Sequence, residues 1–348
     1  MKKSLKSHFP MIRSKEEIRL IIRGNLQLEE LFQSWDMEQQ KEFLEFCSGN
    51  KGVRILYDSF FKEILSPENA PERLDELLSL ILCQQVKILQ VLPNDSTRIA
   101  DESSLVIMDI VVELEDHSIA NVEVQKIGYK FSGQRSACYS ADLLLRQYKR
   151  VRGERGRAFS YRDIQKVYTI VFFEKSPKEL REDKMNCIHR FTQVSDTGVK
   201  LELLQEFCFV SLDIFRELLH NNGIRNKLDA WLTFLSVDDP ETIETLLDQY
   251  PGFEKYYREI YELCRNVERV MGMFSEELRE LDRNTVQLMI DEMQEEIDAL
   301  KKEREEAREE REKEVSRKDE KISEQEREIA ELKKKLAAYE EVPENGKR

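Results

Sequence analysis

The spacing of apolar residues changes character along the chain. Residues 1–50 are polar and helix-prone, and within them "MEQQKEFLEFCSGN" carries Phe43, Leu44, Phe46 and Cys47 before stopping on Gly49. "VRILYDSFFKEILS" is amphipathic and ends at Pro67. "PERLDELLSLILCQQ" then places Leu74, Leu77, Leu78, Ile81 and Leu82 at steps of three and four, the stripe of a helix. Pro71 suits its first position, and Glu72, Asp75 and Glu76 suit its first turns. At "VKILQVL" the pattern turns to strand and is closed by "PNDS". "SLVIMDIVVELEDHSIANVEVQ", residues 104–125, reads as two strands joined by the turn "EDHS". "SGQRSACYSADLLLRQYKRV" is helical again, "KVYTIVFF" and "EFCFVSL" read as buried strands, and from Asn226 the pattern is helical to the end. Strands confined to about residues 86–212 with helices on either side predict one mixed α/β domain with a helical extension.

From Val286 the apolar positions step 286, 290, 293, 297 and 300, a heptad seam. It weakens through Arg304, Ala307 and Arg311, shifts register by a four-residue step at Val315, and resumes through Ile322, Ile329, Leu332, Leu336 and Tyr339 before Pro343. Two readings stand: a coiled coil that pairs two copies, or a single charged helix held by i,i+4 pairs.

The hairpin holds the candidate chemistry. Side chains alternate faces along a strand, so Asp109, Val111 and Glu113 share one face of the first strand, and Glu123 and Gln125 share one face of the second. Folding about "EDHS" brings Asp109 near Glu123 at the far end. Two such carboxylates repel when both are ionised, and a divalent cation removes the conflict. Hard oxygen donors suit Mg2+ or Mn2+, which can activate water against a phosphate. Gln125 can orient that water but carries no charge. The plain alternative is an acid ending one strand and another on a solvated face.

In the following helix, Arg135, Tyr139, Asp142, Arg146 and Lys149 fall on one face. Ala137, Cys138, Ala141, Leu144, Leu145 and Tyr148 fall on the other, which is expected to be core. Residues 146–166 hold eight Lys/Arg against Glu154 and Asp163, with Arg146, Arg150, Arg152, Arg155 and Arg157 interleaved with Tyr148, Phe159 and Tyr161. A basic loop of this kind suits a nucleic-acid backbone, or is a solvated charge run.

Composition narrows the field. Of the net charge of −14, half lies in residues 286–341, so the acidity belongs to the tail and says little about what the folded part binds. Six cysteines without a CxxC pair argue against a disulfide framework or structural zinc, and four scattered histidines argue against a histidine metal centre. No apolar run approaches the roughly 20 residues of a membrane span. The charged start "MKKSLKSHFPMIRSKEE" has no apolar signal segment. A cytoplasmic chain with no membrane partner is expected.

The order D–x(13)–E–x–Q, with its acids in "IMDIVVE" and "NVEVQ", resembles the PD-(D/E)XK nuclease superfamily, closest to its branch of recombination-promoting nucleases and family transposases. "YDSFFKEIL", "RLDELLSLIL", "RSACYSADLLLRQY", "VYTIVFF" and "KLDAWLTFLSVDDPE" resemble further segments of that branch, so the similarity covers about residues 53–269. The resemblance implies an α/β restriction-endonuclease-like core with a helical extension and a C-terminal coiled coil. The implied organisation is a helical segment (1–50), a nuclease-like domain (51–225), a helical extension (226–285), a coiled coil (286–341) and a disordered tail (342–348). It implies a metal-dependent DNA endonuclease whose catalytic residues are Asp109, Glu123 and Gln125. Asp109 and Glu123 would be ligands of Mg2+ or Mn2+, and Arg135 and Tyr139 would face DNA. Gln125 stands where the superfamily has lysine, which leaves open a degenerate DNA-binding or scaffolding protein that keeps the fold. An early-helix acid often joins such sites, with Glu72, Asp75 and Glu76 as candidates.

Overall fold

The computed structural model describes residues 4–93, 109–126 and 132–340. Residues 104–108 of the hairpin, most of the "PNDS" turn and the 342–348 tail therefore lie outside the described residues. The chain divides into two units, Met1–Leu288 and Met289–Arg348.

Three helices open the first unit: α1 (Lys15–Arg23), α2 (Leu26–Ser34) and α3 (Met37–Cys47). Ser14 with Glu17 and Asp36 with Gln39 form reciprocal capping boxes at α1 and α3, satisfying backbone donors that a helix start leaves open. Then come α4 (Asp58–Ile64) and α5 (Pro71–Leu82). Pro71 sits at the start of α5, and Leu74, Leu77, Leu78 and Ile81 are fully buried, as the spacing predicts.

The strands are β1 (Ile88–Val91), β2 (Ile110–Leu114) and β3 (Ile119–Gln125), followed by helix α6 (Ser132–Arg155) and β4 (Val167–Phe173). A short α7 (Lys178–Arg181), β5 (Ile188–Phe191), β6 (Gln205–Ser211) and α8 (Leu212–Asn222) follow. The helical extension is α9 (Lys227–Ser236), α10 (Pro240–Gln249), α11 (Glu254–Cys264) and α12 (Val267–Glu340). The sheet runs β1-β2-β3-β4-β6-β5. β3, β4 and β6 are parallel, and β1–β2, β2–β3 and β5–β6 are antiparallel. The parallel strands need a crossover, and α6 supplies it between β3 and β4. β4 is buried throughout because helices or loops cover both faces. The edge strand β5 and helix α8 were not expected from the sequence, although Leu212, Phe215 and Leu219 of α8 fall at helical steps of three and four.

The two faces of the sheet differ. Ile110, Val112, Ala120, Val122, Ile170, Phe172 and Val210 face the main apolar cluster, which also takes in Phe43, Phe61, Leu77, Trp231 and Tyr257 from the surrounding helices. On the other face Val111, Ile119 and Val167 pack with Tyr139 and Leu143 of α6. Asn121, Glu123, Gln125 and Thr169 are buried on that same face.

That polarity overturns the expected orientation of α6. Ala137, Cys138, Ala141 and Leu145 are exposed, whereas Ser132, Ser136, Tyr139, Ser140, Leu143 and Gln147 are buried. The sheet surface beneath is half polar, so the helix turns its hydroxyl- and amide-bearing face inward. Ser140 Oγ accepts from Gln205 Nε2 at 3.0 Å, and Gln147 Oε1 accepts the Gln165 N–H at 2.7 Å. The helix expected over residues 132–151 runs four residues further, so the first half of the basic segment is helix and not loop. α6 continues through Arg155, and single-turn helices at Gly156–Ala158 and Tyr161–Asp163 follow it.

α12 carries the heptad seam. Val286, Ile290, Met293, Ile297, Leu300, Val315, Ile322, Ile329, Leu332 and Leu336 are all exposed, and the side chain of Tyr339 lies outside the described residues. Ion pairs at i,i+4, among them Lys318–Glu314 and Lys335–Glu331, line the helix. No helix among the described residues is long and apolar enough to cross a membrane.

Candidate active site

The hairpin register sets the site. Ile110 pairs with Val122 and Val111 with Asn121, so Asp109, one residue before β2, stands across from Glu123. Asp109 Oδ2 accepts the Val124 N–H at 2.7 Å, which pins the carboxylate against β3. Glu123 is 5% exposed and Gln125 2%. Burial, and then Asp109 beside it, pushes the Glu123 carboxyl up to about 8, against the opposing pull of Arg135, Gln125 and Tyr139. Burial, and then Asp58, raises Asp109 to about 6, against Lys62 and the Val124 N–H. The two carboxylates thus share one desolvated place where both resist ionisation together.

Asp58 is the acid that sequence reasoning missed. It opens α4, and Lys62 one turn later donates to its Oδ2 at 2.9 Å while standing 3.6 Å from Asp109 Oδ1. Of the acids considered on α5, Glu72 is exposed and the other two are engaged elsewhere. Asp75 Oδ1 accepts the Ile88 N–H at 2.7 Å, tying α5 to β1, and Glu76 accepts from Trp231 Nε1 at 2.9 Å and pairs with Lys227. Neither Asp75 nor Glu76 is therefore spare. The signal for Asp58 was present in "YDSFFKEIL": an i,i+4 acid–lysine pair around the buried Phe60 and Phe61.

α6 closes the other side. Tyr139 is 1% exposed, and its hydroxyl accepts from Arg135 Nε at 2.6 Å while the Arg135 guanidinium lies 5.5 Å from the ring centre. Both groups act on Glu123, Arg135 favouring its charged form. Lys126, next along β3, faces away from Gln125 and bonds to Glu277 of α12. Glu277 also accepts the Asp58 N–H at 2.9 Å, so α12 supports both α4 and the end of β3.

The remaining basic candidates separate. Arg146 is held by Asp142 and by the Pro93 carbonyl, and Arg150 donates to Glu113 Oε2 at 2.5 Å. Arg155 lies 3.5 Å from Asp163. Arg152 bonds to the Tyr148 hydroxyl, and Arg157 is exposed. Tyr148, Phe159 and Tyr161 pack ring against ring beside them, with Tyr161 76% exposed. The structure therefore brings Asp109, Glu123, Gln125, Arg135 and Tyr139 together and places the basic run at the far end of α6.

Among the described residues no three His, Cys, Asp or Glu side chains form a ready metal cage. The donor chemistry nevertheless fits a hard divalent cation. Among the described residues, Glu123 Oε2 and both polar side-chain atoms of Gln125 are buried with no partner at hydrogen-bonding geometry, and Asp109 stands across from Glu123. Asn121, Thr169 and Ser136 leave further buried polar atoms unpartnered in the layer between the sheet and α6. Such a concentration is unusual in a layer built only for packing.

Compared with known families, residues 55–286 match the model of the PD-(D/E)XK nuclease family transposase. No curated protein and no solved structure matches. The matched range contains Asp58, Asp109, Glu123, Gln125 and Glu277.

Proposed function

The chain belongs to the PD-(D/E)XK nuclease family transposases, and we propose that it is a metal-dependent DNA endonuclease whose centre is Asp109, Glu123 and Gln125. One observation carries this reading: two desolvated carboxylates face each other across the hairpin, and Glu123 Oε2 has no hydrogen-bond partner among the described residues. Asp109 and Glu123 would hold Mg2+ or Mn2+, which supplies positive charge against a phosphate and makes water a better nucleophile. The chain's own groups do the rest. Gln125 can hold a water by its amide but cannot take its proton. Arg135, fixed on Tyr139, offers a guanidinium at the rim of the site for a backbone phosphate. Arg152 and Arg155, about 20 and 24 Å along α6 from Tyr139 at 1.5 Å per residue, and Arg157 just past its end, would hold the duplex away from the cut. The apolar seam of α12 would pair two copies, so that each strand meets a centre.

Gln125 favours a second reading, a protein that binds DNA with this fold but has lost catalysis, because an amide supplies none of the charge of a lysine. Supercoiled plasmid incubated with the protein and Mn2+ or Mg2+ separates the two. Nicking that disappears in Asp109→Ala supports the endonuclease. Retardation of the plasmid without nicking, over both metals, supports the binding protein.

A further inference from the structure

Asp109, just before β2, has an acid on either side: Asp58 from α4 and Glu123 from β3. Like charges this close need a counter-ion. Lys62 is in place to be one. Its ammonium is 2.9 Å from Asp58 and 3.6 Å from Asp109 Oδ1. An i,i+4 lysine on its own acid is ordinary helix chemistry and worth little. Contact with a second acid, from a different element and itself desolvated, is not ordinary. Burial alone would lower the Lys62 ammonium, yet Asp109 and Asp58 outweigh it and hold it above the usual lysine range. Among the described residues, the basic groups at the end of β3 and on α6 have other partners: Lys126 bonds to Glu277, and Arg135 to the Tyr139 hydroxyl. Lys62 is half-exposed on a flexible four-carbon stem, so it can leave the acids without disturbing the core.

We propose that Lys62 is the resident counter-ion of the acidic site, holding Asp58 and Asp109 together in the absence of metal and competing with a divalent cation for Asp109. This rests on the reading of Asp109 and Glu123 as cation ligands. It makes Lys62 a positioning residue that sets how much metal the site needs. It also lets the site stay folded and charge-balanced without metal.

The test is calorimetric titration of Mn2+ into the full-length metal-free protein, with thermal melts in EDTA and in Mn2+. Lys62→Met removes the competitor, so Mn2+ should bind about threefold more tightly, within the roughly 1.4- to 5-fold that one partly exposed ion pair is worth. Its melting temperature in EDTA should fall, and Mn2+ should raise it by more than it raises wild type. Lys62→Arg keeps the charge and should stay near wild type. Mn2+ binding that is lost in Glu123→Gln but equal in wild type and Lys62→Met overturns the role of Lys62 alone. Absence of Mn2+ binding in every variant overturns both this inference and the assignment of the cation site.

Discussion

Arg150 Nη1 and Glu113 Oε2 meet at 2.5 Å, joining the last turns of α6 to β2. Gln90 and His117 also bond to the Glu113 carboxylate, which is buried. Arg150 is thus part of the fold, and its removal leaves a buried charge short of its strongest partner. Arg150→Ala should lower unfolding free energy by roughly 2–3 kcal/mol, below the about 3–5 kcal/mol of a fully buried pair because Arg150 is partly exposed. Urea melts check this. A stability within about 0.5 kcal/mol of wild type would place Arg150 with the surface cations.

The same carboxylate gives a pH dependence. Burial pushes Glu113 up, but hydrogen bonds from Arg150, Gln90 and His117 outweigh that and hold it below its ordinary value of 4.5. A lowered folded pKa contributes stability that is full above the unfolded value and is lost as pH falls through the folded one. Glu113→Gln should therefore be less stable than wild type at pH 7, with the gap narrowing below about pH 4.5. Melting temperatures across pH 3–7 report it, and a constant gap would remove Glu113 from the acid limb.

Glu123→Gln should abolish plasmid nicking while DNA binding stays equal or strengthens. The change removes one carboxylate from the centre and one negative charge facing phosphate. Wild-type cleavage by the purified variant under matched Mg2+ would show that the centre lies elsewhere.

Neutralising Arg152, Arg155 and Arg157 together should weaken binding to all duplex sequences without the stability loss of Arg150→Ala. For every phosphate that the protein no longer neutralises, the slope of log K against log salt should flatten by about 0.9. Fluorescence anisotropy at several salt concentrations measures it, and an unchanged slope would mark the segment as a solvated charge run.

Truncation after Leu288 should leave a folded monomer from a dimeric full-length protein. The cut keeps Phe274 and Glu277 of α12, which are buried in the first unit, and removes the seam from Met289 onward. Nicking should persist in the monomer while linear plasmid disappears. Light scattering at matched concentration decides it: a monomeric full-length chain would leave the tail as a single charged helix.

Local periodicity carried much of the reading from sequence. Alternation in a strand is a property of the backbone, so Asp109, Glu123 and Gln125 had to share a face once the hairpin formed. Steps of three and four fixed the stripe of α5, and the heptad fixed which residues of α12 line up. What periodicity cannot supply is the partner across the gap. An apolar stripe on α6 pointed outward because the sheet face beneath it holds Asn121, Glu123, Gln125 and Thr169, and polar atoms out of water need polar neighbours. Asp58 and Lys62 look like any helix pair until β2 brings Asp109 alongside them. Arg150 looks like any surface cation until Glu113 meets it. In each case the deciding interaction joins residues far apart in the chain, and only the packed sheet and helices set which charges meet.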